Sequence, residues 1–409
     1  MKETKFKNTE IGRIPEEWET LYIHQITEIS TGATPSTIIN EYWENGTIRW
    51  MSSGELNNKI IYDVNGRITQ KGYDNTGTHM LPKNCVLIGL AGQGKTRGTA
   101  AYNKVELCTN QSIAAILPNS KYESKYLYFY IDSLYDKLRL LSAGDGGRGG
   151  LNKQILQNLE IAMPPLNEQH HIASALTSID NLISSLGKLI EKKKNIKQGT
   201  MQQLLTGKIR LKEFTEPWVY RKISEIATTS SGGTPSRSIP NYYYGDIKWF
   251  TTTELKDNYL YDSVEHITRE ALNNSSAKMF SANTILMAMY GATIGKLGVL
   301  KEPSTTNQAC CAIKCNDIVE IFLFYILLYN RKSIIEKGCG AGQPNISQAI
   351  VNELSFLVPP CEKEQQAIAN ILSKMDDEIT ALEAKKAKYE AIKQGMMQQL
   401  LTGKIRLIS

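Results

Sequence analysis

The residues Gly89-Leu90-Ala91-Gly92-Gln93-Gly94-Lys95-Thr96 have the types and spacing of a phosphate-binding loop: a glycine, four residues, then Gly-Lys-Thr. Such a loop cradles phosphates with backbone N–H groups, reaches them with its lysine and holds magnesium with its hydroxyl, provided that it follows a strand and opens a helix. The apolar run 85–90 meets the first condition. The second fails, because Arg97-Gly98-Thr99-Ala100-Ala101-Tyr102-Asn103 has no helical apolar period. A related segment, Gly291-Ala292-Thr293-Ile294-Gly295-Lys296-Leu297, lacks the Ser or Thr that magnesium needs. No apolar strand ends in an acidic pair to hold the metal from the other side. The favoured reading is a glycine-rich turn presenting Gln93, Lys95 and Arg97, with Lys296 as the counterpart. A nucleotide-binding enzyme built on Gly89 to Thr96 stands as the alternative.

Other chemistry is missing as well. The chain has no Gly-x-Ser-x-Gly elbow and no His-Glu-x-x-His. Met163-Pro164-Pro165-Leu166 and Val358-Pro359-Pro360-Cys361 lack the leading amide or acid and the stacking ring of the motif that grips a target base in amino-methyltransferases. The adjacent His170 and His171 do not make a site. Cys310, Cys311 and Cys315 fit no common zinc spacing, so they are expected as small buried residues in an apolar strand around 309–313. No catalytic residue, metal ligand or cofactor of its own is expected for this chain.

The elements that must position any functional residues are announced by a repeat. Residues 197–211, Lys-Gln-Gly-Thr-Met-Gln-Gln-Leu-Leu-Thr-Gly-Lys-Ile-Arg-Leu, return at 393–407 with Thr200 replaced by Met396 as the sole change. A period near 200 residues is too long for a solenoid unit and implies two complete modules in tandem. Further anchors recur: Trp18 with Trp218, Gly32-Ala33-Thr34-Pro35-Ser36 with Gly232-Gly233-Thr234-Pro235-Ser236, and Thr109-Asn110-Gln111 with Thr306-Asn307-Gln308. Pro164-Pro165 and Pro359-Pro360 are each followed by Glu-Gln. Between the anchors the copies diverge, most of all after Gly92 and Gly291.

After each Pro-Pro pair the pattern becomes a long helix. Ile172, Leu176, Ile179, Ile183, Leu186 and Ile190 are spaced 4-3-4-3-4, and Ile368, Leu372, Met375, Ile379 and Leu382 repeat that spacing. Tyr389, Ile392, Met396 and Leu400 continue an apolar face. This is a heptad seam, expected to pair helix with helix rather than to lie on a globular core. Gly207 and Gly403 supply the stops. Lys188, Lys192, Lys193, Lys194, Lys385, Lys386 and Lys388 are expected on the solvated outer face. Within the modules, 85–90 and 284–289 are expected as buried strands, and 122–141 and 317–335 as helices.

The expected fold is therefore α+β: a tandem duplication of a mixed α/β domain followed each time by a long helix, the two helices forming an antiparallel coiled coil. The boundaries are 1–165 and 208–360 for the domains, 166–207 and 361–409 for the helices. The chain has 409 residues, 41% of them hydrophobic, enough for two cores. A net charge of +6 permits a nucleic-acid partner without demanding one. The start lacks the apolar core of a signal peptide, no run approaches a membrane span, and seven cysteines form no paired framework. A cytoplasmic protein is expected.

These residues resemble the specificity (S) subunit of type I restriction-modification systems. The likeness rests on Ile14-Pro15-Glu16-Glu17-Trp18, the Gly-Ala-Thr-Pro-Ser turn, Asn110-Gln111, the Pro-Pro-x-x-Glu-Gln helix start and the Lys-Gln-Gly to Ile-Arg-Leu ending, and covers essentially the whole chain. The resemblance implies two target recognition domains, each reading one half of a bipartite, asymmetric double-stranded DNA site, joined by spacer helices. It further implies two docked methyltransferase (M) subunits, with restriction/translocase (R) subunits joining through them. S-adenosylmethionine, ATP and magnesium are then expected on those partners. The DNA-contact candidates are the turn residues Thr34, Ser36, Gln93, Lys95, Arg97, Arg148 and Lys153 in the first module. In the second they are Thr234, Ser236, Arg237, Lys296, Gln343 and Asn345. A coiled-coil scaffold without DNA contact is the remaining alternative.

Overall fold

The computed structural model describes residues 4–92, 94–142, 150–338 and 345–408. They form two compact units that do not coincide with the sequence halves: Met1–Gly187 with Ala384–Ser409, and Lys188–Glu383.

The first unit is built on a five-stranded sheet of β1 (Ile29–Thr31), β2 (Ile60–Ile61), β3 (Val86–Gly89), β4 (Ala100–Asn103) and β5 (Ile113–Ile116), in the order β1-β5-β3-β4-β2. All neighbours are antiparallel except β2 and β4. β3, β4 and β5 are apolar along nearly their whole length because both faces of the sheet are covered. Successive side chains alternate between faces. Val86 and Ile88 face a core that includes the helix Ser124–Ser133, while Leu87 joins Met51 and Leu56 on the opposite side. A small three-stranded sheet is formed by 48–51, 67–68 and 108–109, with 48–51 in the middle.

The second unit repeats this plan with β6 (Ala227–Ser231), β7 (Asn258–Leu260), β8 (Ile285–Ala288), β9 (Leu297–Leu300) and β10 (Cys310–Cys315), in the order β6-β10-β8-β9-β7. Cys310 and Cys311 are neighbours on β10 and so face opposite cores. Burial pushes both thiols up to about 12. The segments expected as single helices at 122–141 and 317–335 are each two, broken at Leu134 (φ −92°, ψ 12°) and Asn330 (φ −89°, ψ 6°). An apolar face that continues across the break hid it from periodicity.

Each domain leads into a 39-residue helix, α1 (Leu166–Leu204) and α2 (Glu362–Leu400), about 58 Å long at 1.5 Å per residue. The Pro-Pro-x-x-Glu-Gln motif has a specific use. Gln169 donates to the Pro164 carbonyl at 2.8 Å and accepts from the Glu123 amide at 2.9 Å, tying the start of α1 to the start of a domain helix. Gln365 repeats both bonds with Pro359 and Val319. Trp18 and Trp218 donate their indole N–H to Glu168 and Glu364 at 3.0 and 3.3 Å.

The helices run antiparallel within each unit. Asp180 meets Lys393 in the first, and Glu378 and Glu383 meet Lys193 and Lys194 in the second. Lys193 and Lys194 are thus ion-paired across the helices rather than merely solvated. Two further expectations are corrected. Ile172 and Leu176 lie in the first domain's core together with Met397, Leu400 and Leu401, and Ile368 and Leu372 lie in the second domain's core with Met201, Leu204 and Leu205. At its beginning the heptad pattern therefore serves a domain core and the end of the opposite helix together, and further on the helix pair alone, because a 3-4 spacing serves both surfaces. Ile392 is 39% exposed and off the seam. Lys393 takes the inward position beside it and its ammonium is satisfied by Asp180 at 2.6 Å. Among the described residues no helix is long and apolar enough to cross a membrane.

Candidate nucleic-acid interface

The loop 90–99 joins two antiparallel strands, β3 and β4, with Gly98 donating to the Gly89 carbonyl at 2.8 Å. The phosphate-loop alternative fails here. No helix follows Thr96, so no set of N-terminal amides faces a nucleotide. The glycines serve the hairpin instead: Gly92 and Gly98 adopt φ of 126° and 80°, and Gly291 and Gly295 do the same for the β8–β9 hairpin at 80° and 75°.

Each hairpin is braced by a basic residue that the sequence pattern did not single out. Arg139 donates to the Gly94 carbonyl at 2.7 Å, and the Tyr135 hydroxyl donates to the Lys95 carbonyl at 3.1 Å. Arg331 donates to the Gly295 carbonyl at 2.8 Å in the second unit. The signal was present as an arginine on the same domain helix in both copies.

The recurring Gly-x-Thr-Pro-Ser turn meets the recurring Thr-Asn-Gln segment. Thr34 donates to Gln111 at 2.5 Å, and Thr234 to Gln308. A Cβ on Gly32 would fall 1.8 Å from the Thr109 carbonyl oxygen, and one on Gly232 2.1 Å from that of Thr306. The two motifs recur together because they are one tight contact. Thr34 and Thr234 thus spend their hydroxyls on holding the turn, and Ser36 and Ser236 are left exposed beside them.

Four of the basic candidates fall into two groups. Lys95 and Lys153 are exposed and carry no ion pair among the described residues. Lys296 is instead bound to Asp257 at 2.9 Å, which Arg331 also contacts, and Arg237 is held by Glu265 with one bond at 2.8 Å. That guanidinium holds the Glu265 carboxyl below its usual range. Arg97 is half-buried, with a guanidinium nitrogen 3.5 Å from the Ser142 hydroxyl. Asn345 is exposed and its segment bridges Tyr290. Gln93, Arg148 and Gln343 lie outside the described residues.

Comparison with known proteins places the chain in a family. The sequence matches the family described as type I restriction modification DNA specificity domain twice, over residues 15–198 and 215–394. The type I restriction enzyme MjaVIII specificity subunit of Methanocaldococcus jannaschii is 28% identical, with 99% of this chain and 97% of that one aligned. The MjaIX specificity subunit of the same organism is 25% identical over the same shares. The EcoR124I/EcoR124II specificity subunit of Escherichia coli is 29% identical over 42% of each chain. Among solved structures, the type I restriction-modification S subunit of M. genitalium superimposes with a TM-score of 0.63 at 16% identity, covering 97% of this chain and 98% of that one. With both family matches spanning most of its length, this chain belongs to the type I restriction-modification DNA specificity family.

Proposed function

We propose that each domain reads one half of a bipartite, asymmetric double-stranded DNA site. The observation that carries this reading is the contrast within the repeat. The turn, the Thr-Asn-Gln contact and the sheet order are the same in both copies, whereas the side chains of the two hairpins and of the positions after each Thr-Pro-Ser differ. Base edges are read by side chains, and phosphate contacts set register and affinity. Two unlike sets of exposed side chains on one frame then select two unlike half-sites.

The chain performs no chemistry in this scheme. Two methyltransferase subunits dock against α1 and α2 and bring S-adenosylmethionine and the adenine-modifying site; restriction subunits using ATP and magnesium join through them. The assembly acts on DNA in the cytoplasm. The MjaVIII relative is named as a subunit of a restriction enzyme, and another solved chain of this fold comes from work on assembly of a type I system, which supports a role inside a complex.

The test is an exchange of residues 14–163 for the corresponding domain of another family member, followed by mapping of methylated adenines in cells carrying the matching methyltransferase. One half of the recognised site should change and the other stay. An unchanged site would favour a scaffold without DNA contact and overturn the proposal.

A further inference from the structure

The small sheets of the two units carry matching aromatic pairs. Trp43 packs edge-on against Trp50, with ring centroids 5.0 Å apart, and Tyr243 packs edge-on against Trp249 at 5.8 Å. Their polar ends are tied alike: Trp50 donates to the Ala33 carbonyl and Trp249 to that of Gly233, while Trp43 donates to Ser36 and Tyr243 to Pro235. The pairs are one structural position in two copies.

What differs is the residue laid over them. In the second unit the Arg237 guanidinium sits 4.1 Å from the Tyr243 ring centroid and 5.2 Å from that of Trp249, with Glu265 as its carboxylate. In the first unit Thr37 follows the same Thr-Pro-Ser turn and has no planar group to offer. Gly66 lies against Trp50, its carbonyl accepting the Trp50 amide at 3.0 Å, where Glu265 stands opposite Trp249. It has to be glycine, since a Cβ there would lie 2.2 Å from the Trp50 carbonyl oxygen. The result is an open notch of about 690 Å³ lined by Thr37, Asn40, Trp43, Glu44 and Trp50.

We propose that this notch of the first unit accepts an arginine side chain from a protein partner, as the equivalent position of the second unit accepts Arg237. A guanidinium is favoured over other occupants because the molecule already uses that group on the same aromatic pair, and because Glu44 on the rim supplies the opposite charge. Planar cations stack on tryptophan faces, and a neighbouring carboxylate adds a hydrogen-bonded ion pair. The proposal holds whatever DNA sequence the domain reads.

The full chain has five tryptophans, so labelling indole nitrogens with 15N gives five signals to follow. Titration with N-acetyl-arginine amide should move the Trp43 and Trp50 signals to saturation at millimolar concentration and leave Trp18 and Trp249 fixed. N-acetyl-lysine amide should act several-fold more weakly. Thr37→Arg, which places a guanidinium beside the notch from within, should abolish the response, and Glu44→Gln should weaken it about threefold, the scale of one exposed ion pair. Trp43→Leu gives a second route to loss, and the unmoved signals of Trp18 and Trp249 report that each variant is folded. No shift with the arginine probe, an equal response to the lysine probe, or an undiminished response in Thr37→Arg would overturn the proposal. Stronger shifts with adenosine than with the arginine probe would replace it by a base-stacking site.

Discussion

Arg406 grips Glu168 across 238 positions of sequence, its Nε 2.7 Å from one carboxylate oxygen and its Nη2 2.8 Å from the other. Glu168 is 2% exposed and the arginine side chain 7%. Glu168 also receives the Trp18 indole, and Arg406 also reaches Glu17, so the end of the chain closes onto the beginning of its first domain. The mate of this contact is Arg210 on Glu364. The duplicated ending is thus a plug: its apolar residues fill a domain core and its arginine satisfies a buried carboxylate.

Removing one partner of a buried, hydrogen-bonded pair strands the other charge, at a cost of about 3–5 kcal/mol. Arg406→Ala should lower the stability of the first unit by about that much, measured as a fall in the urea midpoint of its unfolding. Arg406→Lys keeps the charge without the planar fork and should fall between. A change below about 1 kcal/mol for the alanine variant would show that Glu168 finds another partner.

The repeated ending also contains two glycines with opposite roles. Gly403 has φ of 68°, and a Cβ there would lie 2.4 Å from the Pro15 ring and 3.1 Å from Trp18. Gly199, inside α1, has open space around its missing Cβ. Gly403→Ala should destabilise by at least 1–2 kcal/mol, the approximate cost of a left-handed residue before any clash. Gly199→Ala should stabilise by roughly 0.5–1 kcal/mol, because alanine favours a helix interior. Melting temperatures of the two variants should therefore move in opposite directions, and a common direction would contradict the assignment.

Exposed and internally paired lysines should behave differently on DNA. In the assembled complex, Lys95→Ala and Lys153→Ala should each reduce the slope of log affinity against log salt by about one, as expected for loss of one phosphate contact. Lys296 is committed to Asp257. Lys296→Ala should instead loosen the β8–β9 hairpin and leave the slope nearly unchanged. Fluorescence anisotropy on a labelled duplex over a salt series reads both, and a full unit of slope lost with Lys296→Ala would place its ammonium on a phosphate.

The duplication, the long helices and the central strands were legible because they depend on local pattern: identical peptides, a 3-4 spacing, and apolar runs such as 285–288. What pattern could not show was where a face points. The same spacing put Ile172 into a domain core and Ile179 further along α1, where it is buried outside that core, and period alone selected Ile392 over Lys393. Long-range polar pairing was equally hidden, since nothing local says that Thr34 will hold Gln111 or that Arg237 will lie on two rings instead of on a phosphate.

The Lys393–Asp180 pair gives the last prediction, because it bears on why the helices run antiparallel. Asp180 and Asp376 are equivalent positions of the two copies, and so are Lys197 and Lys393. Aligned in parallel and in register, like charges would face each other; antiparallel, Lys393 meets Asp180 and Lys197 meets Asp376. Asp180 is 25% exposed and Lys393 16%, so the pair is less costly to break than a fully buried one. Lys393→Met alone should destabilise by about 1–3 kcal/mol, discounted from the buried-pair range for that exposure. Lys393→Met combined with Asp180→Leu should recover most of the loss, since two apolar residues of similar size satisfy an apolar seam. The coupling energy from this double-mutant cycle measures how strongly the pair selects orientation; a value near zero would mean that the apolar plugs at the helix ends set the direction by themselves.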